Sequence, residues 1–136
     1  MSTILITLQE IGSCSIKHQE SGSVITSDTP PEYGGQGRSF SATDLLASAL
    51  GVCVATNLDS IAIRHGLPLD SFSIAVQKTL SQSPKRIATL DVTITFSVCL
   101  EPAVLLRLQR AAEDCAVKRS LHPEVQVTLR FVQPSD

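Results

Sequence analysis

Apolar and polar residues alternate along the first third of the chain. Ile4, Ile6 and Leu8 interleave with Thr3, Leu5 and Thr7, Cys14, Ile16 and His18 share a second parity, and Val24 and Ile25 form a short third run. A period of two predicts three strands, and Gly22 can take the left-handed conformation of a hairpin turn between the last two. Residues 28–40 break the pattern. Pro30, Pro31, Gly34, Gly35 and Gly37 remove an amide donor or raise backbone entropy, so the segment reads as a loop leading into the next element.

That element has helical periodicity. Ser41 can cap its first amides, Asp44 three residues on completes a capping box, and Gly66 followed by Pro68 ends it. From Ala42 to His65 the rise would be about 36 Å. Its apolar face includes Leu45, Leu46, Ala49, Leu50, Cys53, Val54, Leu58, Ile61 and Ala62, while Ala47, Ser48, Gly51 and Ala55 are small enough for close packing.

Alternation then returns. Phe72, Ile74, Val76 and Leu80 share one face, and after a polar connection over residues 81–86 so do Leu90, Val92, Ile94, Phe96 and Val98, predicting an antiparallel hairpin. Pro102 suits a first helical position, and Val104, Leu105, Leu108, Ala111, Ala112 and Cys115 form the stripe of a second helix on the same sheet. Val125, Val127, Leu129 and Phe131 predict a last strand. The order βββ-α-ββ-α-β makes one α+β domain over residues 1–136. The first helix is longer and more uniformly apolar than one small sheet covers, which predicts a homodimer that buries the excess.

Composition narrows the function classes. The 136 residues are 43% hydrophobic and 18% charged, which excludes a disordered chain. A net charge of −2 without charge blocks offers no electrostatic footprint for nucleic acid or an anionic membrane. The start lacks a basic segment followed by an apolar core, so no signal peptide is expected. Asn57, Asp59 and Arg64 interrupt the longest apolar stretch, so no membrane span of about 20 residues is expected either. These features predict a soluble cytoplasmic protein with reduced thiols.

The candidate chemistry is therefore thiol chemistry. Cys14, Cys53, Cys99 and Cys115 are too sparse for a disulfide scaffold. Cys14 and Cys99 lie in or near strands and read as packing residues, whereas Cys53 and Cys115 lie on the two helices. Two readings stay open for that pair: small buried hydrophobes, or a nucleophile and its partner. Lys118 and Arg119 either support an anion near Cys115 or solvate the surface. His18, His65 and His122 form no short-spaced metal motif, and His65 suits a helix C-terminus. Gly34, Gly35 and Gly37 lack the strand-loop-helix context of a phosphate loop.

The Asp28-Thr29-Pro30 turn, Gly34-Gly35, the SATDLLASALGVC segment and the later EDCAVKRSLHPEV segment together resemble the OsmC/Ohr family of thiol-dependent hydroperoxide reductases, in its shorter OsmC-like branch. The resemblance covers residues 15 to 131. It implies an intertwined homodimer in which antiparallel sheets enclose two central helices, with Cys53 as peroxidatic and Cys115 as resolving cysteine. Organic hydroperoxides or hydrogen peroxide would be substrates. An external dithiol, lipoyl-type compounds among the candidates, would be the reductant, and no cofactor or metal is needed. Apolar Leu46, Ala49 and Leu50 would receive an alkyl group. The family pattern also has a glutamate near the helix start paired to an arginine; here Thr43 occupies the glutamate position beside Asp44, and Arg38 and Lys17 are the available cations. Ala116 stands where a proline often follows the second cysteine. The alternatives are a noncatalytic redox sensor or binder of small hydrophobic ligands on the same fold, and a protein whose cysteines serve only its core.

Overall fold

The computed structural model describes residues 1–69 and 71–135. They form two compact units, Met1–Leu46 and Ala47–Asp136.

The first unit carries a three-stranded antiparallel sheet of β1 (Ile4–Glu10), β2 (Ser13–His18) and β3 (Val24–Ser27), in that order. Its register places Ile6, Ile16 and Ile25 side by side across all three strands, flanked by Ile4 and Leu8. Ile4, Ile6, Leu8 and Ile25 are all exposed, so this sheet offers an apolar face. Gly22 turns the β2–β3 hairpin at φ 76° and donates to the His18 carbonyl at 2.9 Å.

The loop after β3 is held from within. Buried Asp28 accepts from the amides of Thr29 (2.9 Å) and Arg38 (3.1 Å), and from Arg38 Nε at 2.8 Å. Arg38 also reaches Glu10 at 3.0 Å. Arg38 lies ten residues after Asp28, so the clasp closes the loop on itself around the 3-10 turn Pro31–Tyr33. Gly35 lies under the Thr29 carbonyl, where any side chain would collide with that oxygen.

The first long helix, α1 (Ala42–His65), starts with the expected reciprocal box: the Asp44 amide donates to Ser41 Oγ at 3.1 Å and the Ser41 amide to Asp44 Oδ2 at 2.9 Å. Gly66 ends it in the left-handed region at φ 59°. Contrary to the sequence expectation, α1 is long and apolar enough to cross a membrane by length and composition, because its few polar residues are too dispersed to lower the average. Within the second unit one stripe of it, Ala47, Leu50, Gly51, Val54, Leu58 and Ala62, is buried in the manner of a core helix. Val52 and Ile63 remain exposed.

The second unit is built on β4 (Phe72–Gln82), β5 (Lys85–Phe96) and β6 (Gln126–Val132). β4 and β5 pair antiparallel with Ile74 opposite Ile94 and Val76 opposite Val92. The hairpin runs further than its polar residues suggest: Gln82 pairs with Lys85, so most of the expected connection is strand. The sheet also departs from the expected all-antiparallel form. β6 lies parallel to β5, because the connection through α2 (Pro102–Glu113) crosses over and re-enters from the same end. Leu50, Val54 and Leu58 of α1, Leu90, Val92, Ile94 and Phe96 of β5, and Leu108 and Ala112 of α2 share one core. Gly51 is where α1 approaches the sheet most intimately. A methyl group there would lie 3.1 Å from Val76 Cγ2 and 3.7 Å from Ile74 Cγ2.

Candidate functional site

The second helix stops earlier than its apolar stripe suggests. α2 ends at Glu113, Asp114 leaves the helix at φ −88°, ψ 66°, and Cys115 is extended at φ −115°, ψ 121°. The chain then winds a short helix, α3 (Ala116–Arg119), for which Cys115 is the N-cap: its sulfur accepts from the Lys118 amide at 3.4 Å. Cys115 is fully buried in the core, and half-buried Cys53 packs against that core from the middle of α1.

The two sulfurs meet there. Cys115 is the side-chain neighbour of Cys53 Sγ, and it and the backbone amides of Val117 and Ala116 each favour the Cys53 thiolate. Partial burial pushes the Cys53 thiol up, but the Cys115 hydrogen bond and these two amides outweigh it and hold Cys53 below its ordinary value. Cys115 moves the opposite way. Burial raises it, and its hydrogen bond to Cys53 and the negative charge there raise it further, against the amides of Lys118 and Val117. The two neighbouring thiols are thus shifted in opposite directions, an asymmetry suited to a nucleophile and its partner.

Of the residues expected to support the thiolate, Arg38, Thr43 and Asp44 have other partners. Lys17, Arg38, Thr43 and Asp44 all belong to the first unit. Arg38 is engaged by Asp28 and Glu10, Asp44 and Thr43 join Ser41 at the start of α1, and Lys17 is exposed on β2. Lys118 and Arg119 pair with Glu113 and Asp114. Sequence reasoning did not single out the amides of Ala116 and Val117. Alanine at 116 was the available signal, since a proline there has no N–H. Of the residues expected to receive an alkyl group, Leu50 is fully buried in the core, whereas Leu46 and Ala49 are exposed. Two surface clefts lie elsewhere, one of about 330 Å³ at Phe72 and Phe96 and one of about 270 Å³ at Asp28 and Arg38. Among the described residues, no three His, Cys, Asp or Glu side chains are placed to hold a metal ion.

Residues 35–130 match the family model described as OsmC-like protein. The chain belongs to the OsmC-like family. A Psychrobacter arcticus 273-4 crystal structure, described as a candidate osmotic stress induced and detoxification response protein, is 28% identical, with 96% of each chain covered and a TM-score of 0.92. The organic hydroperoxide resistance protein OsmC of Legionella pneumophila shares the fold at 16% identity, 96% coverage of each chain and a TM-score of 0.75. An OsmC-like protein of unknown function from Vibrio cholerae does so at 15% identity, covering 97% of this chain and 99% of its own, with a TM-score of 0.80. No curated protein matches the sequence. In this OsmC-like chain the Cys53–Cys115 pair is consistent with a redox-active dithiol.

Proposed function

We propose that this OsmC-like protein is a two-cysteine thiol peroxidase that reduces organic hydroperoxides or hydrogen peroxide. The observation that carries the reading is the meeting of two cysteines from separate elements, Cys53 in the middle of α1 and buried Cys115 at the N-cap of α3, with their thiols shifted in opposite directions. The Cys53 thiolate attacks the terminal peroxide oxygen, the O–O bond breaks, and the leaving alkoxide takes a proton to depart as alcohol, or as water from hydrogen peroxide. Cys53 is left as a sulfenic acid. The Cys115 sulfur then attacks Cys53 Sγ and expels water, forming a disulfide. An external dithiol, of which lipoyl-type compounds are one class, returns two electrons and two protons and leaves as its own disulfide.

The unpartnered apolar surfaces support a second element of the proposal, a homodimer. Ile4, Ile6, Leu8 and Ile25 on the β1–β3 sheet and Val52 and Ile63 on α1 are exposed in the single chain, and a second copy would bury such surfaces. Exposed Leu46 and Ala49 would contribute apolar surface for the organic part of a hydroperoxide.

Peroxide consumption under dithiol turnover, with mass-spectrometric mapping of thiols, tests the reading. Cys53→Ser abolishes turnover. Cys115→Ser permits one attack and leaves Cys53 as a sulfenic or more highly oxidised acid. Unchanged turnover in Cys53→Ser refutes the assigned nucleophile, and an oxidised wild-type protein lacking the Cys53–Cys115 disulfide refutes the two-cysteine cycle.

A further inference from the structure

A helix that stops leaves its last carbonyls without intrahelical donors. Where α2 stops, the Ala111 carbonyl, which accepts from the Asp114 amide at 3.2 Å, and the Asp114 carbonyl just beyond the helix converge on one side chain of α1. Asn57 Nδ2 lies 3.5 Å from the Ala111 oxygen and donates to the Asp114 oxygen in a shorter bond. Both neighbours are acceptors, so only the amide nitrogen can face them, and an aspartate of the same size would present a third acceptor. Asn57 follows Cys53 by four residues, one turn along the same face of α1. Adjacent side chains of one helix therefore grip adjacent residues of the junction: Asn57 holds residue 114, and Cys53 meets residue 115.

We propose that Asn57 is a positioning residue for the dithiol: by fastening the end of α2 to α1, it sets the approach of Cys115 Sγ to Cys53 Sγ and so governs closure of the disulfide. The inference rests on the dithiol reading above. An S–S bond forms only at about 2.0 Å and within a narrow dihedral range. A junction free to move lowers the effective concentration of one sulfur at the other, which enters the closure equilibrium directly. Thr56 donates only to the carbonyls of its own helix, at 2.9 Å from Val52 and 3.2 Å from Cys53, so the link to the junction belongs to its neighbour Asn57.

The test uses the full chain with Cys14→Ser and Cys99→Ser, which leaves Cys53 and Cys115 as its two thiols. In mixtures of oxidised and reduced dithiothreitol, the two protein thiols pass two electrons and two protons to the oxidised reagent and close their own disulfide, and mass spectrometry gives the fraction closed. Asn57→Asp shifts this equilibrium toward the open dithiol by about tenfold, the factor expected for the net loss of one hydrogen bond. Asn57→Gln, which keeps the donor on a longer stem, falls between Asn57→Asp and the parent. A residue that merely stabilised the fold would lower the melting temperature of open and closed forms alike and leave their ratio unmoved. Asn57→Asp with the parent's closure constant overturns the proposal, and if that variant does not fold, the same constant in Asn57→Ser does so. If the parent pair itself never closes, the dithiol reading falls and this inference falls with it.

Discussion

Replacing Ala116 with proline removes one of the backbone amides that favour the Cys53 thiolate and little else. Ala116 is the first residue of α3, the helical position at which proline is most readily accepted, and it is exposed, so the ring projects into solvent. The preceding residue must be extended, and Cys115 already is, at φ −115°, ψ 121°. What disappears is that amide, leaving Val117 and Cys115 to favour the thiolate. A hydrogen bond to a charged group contributes about 1.5–3 kcal/mol. Sulfur is a weak acceptor, so the lower end applies, and at about 1.4 kcal/mol per unit the Cys53 pKa rises by about one unit. A higher pKa means less thiolate at neutral pH, about tenfold less while the group titrates above it, but each remaining thiolate is about threefold more nucleophilic. The net expectation is a reaction of Cys53 with a small disulfide that is slower at neutral pH, by up to about three- to fourfold, and that becomes the faster one above the new pKa, where both sulfurs are thiolate and the variant's is the more nucleophilic. Thiolate absorbance followed against pH, with the extent of labelling at Cys53 read by mass spectrometry, measures both quantities. An unchanged titration midpoint in a folded Ala116→Pro protein refutes the claim that this amide supports the thiolate.

Two further outcomes concern the loop ahead of α1. Gly35→Ala drives a methyl group into the Thr29 carbonyl, which also receives the Gly37 amide at 3.0 Å, and should cost about 1–3 kcal/mol in denaturant unfolding; a variant as stable as the parent refutes the close approach. The Arg38 side chain, with the Arg38 and Thr29 amides, outweighs burial and holds the Asp28 carboxyl below its ordinary value. A folded pKa depressed below the unfolded one contributes stability above the unfolded pKa that is lost as pH falls through the folded one. The stability gap between parent and Asp28→Asn should therefore be present at neutral pH and close in acid, and a gap independent of pH refutes the carboxylate's role.

The elements were legible wherever a local signal and the long-range packing agreed. Ser41 and Asp44 marked the start of α1, Gly66 its end, and the alternation from Phe72 to Phe96 its hairpin. Legibility failed where a distant group decided the backbone. The stripe from Val104 to Cys115 reads as one unbroken helix, yet the chain leaves it at Asp114, whose carbonyl accepts from Asn57, a partner that no local pattern reveals. The direction of β6 was equally hidden, since alternation in Val127, Leu129 and Phe131 is the same for a parallel or an antiparallel neighbour. Of the site, the two cysteines were legible because thiols are rare and each follows a helical apolar stripe, although Cys115 proves to be the extended cap of α3 rather than part of α2. Their electrostatic support was not, because backbone amides belong to every residue and only the fold aims two of them at one sulfur.

Gly51 gives that aim a mechanical basis. It rests on Val76 and Ile74, and Cys53, two residues later and about 200° around the helix, looks away from the sheet toward Cys115. The backbone of α1 thus has the β-sheet against one side, close enough that an added methyl at residue 51 would lie 3.1 Å from Val76 Cγ2, and Cys53 on the other. Substitutions on β4 that thicken or thin the layer beneath Gly51 would be transmitted across one helix diameter to the thiols. In this fold, the thickness of a hydrophobic layer bears on the spacing of two thiols.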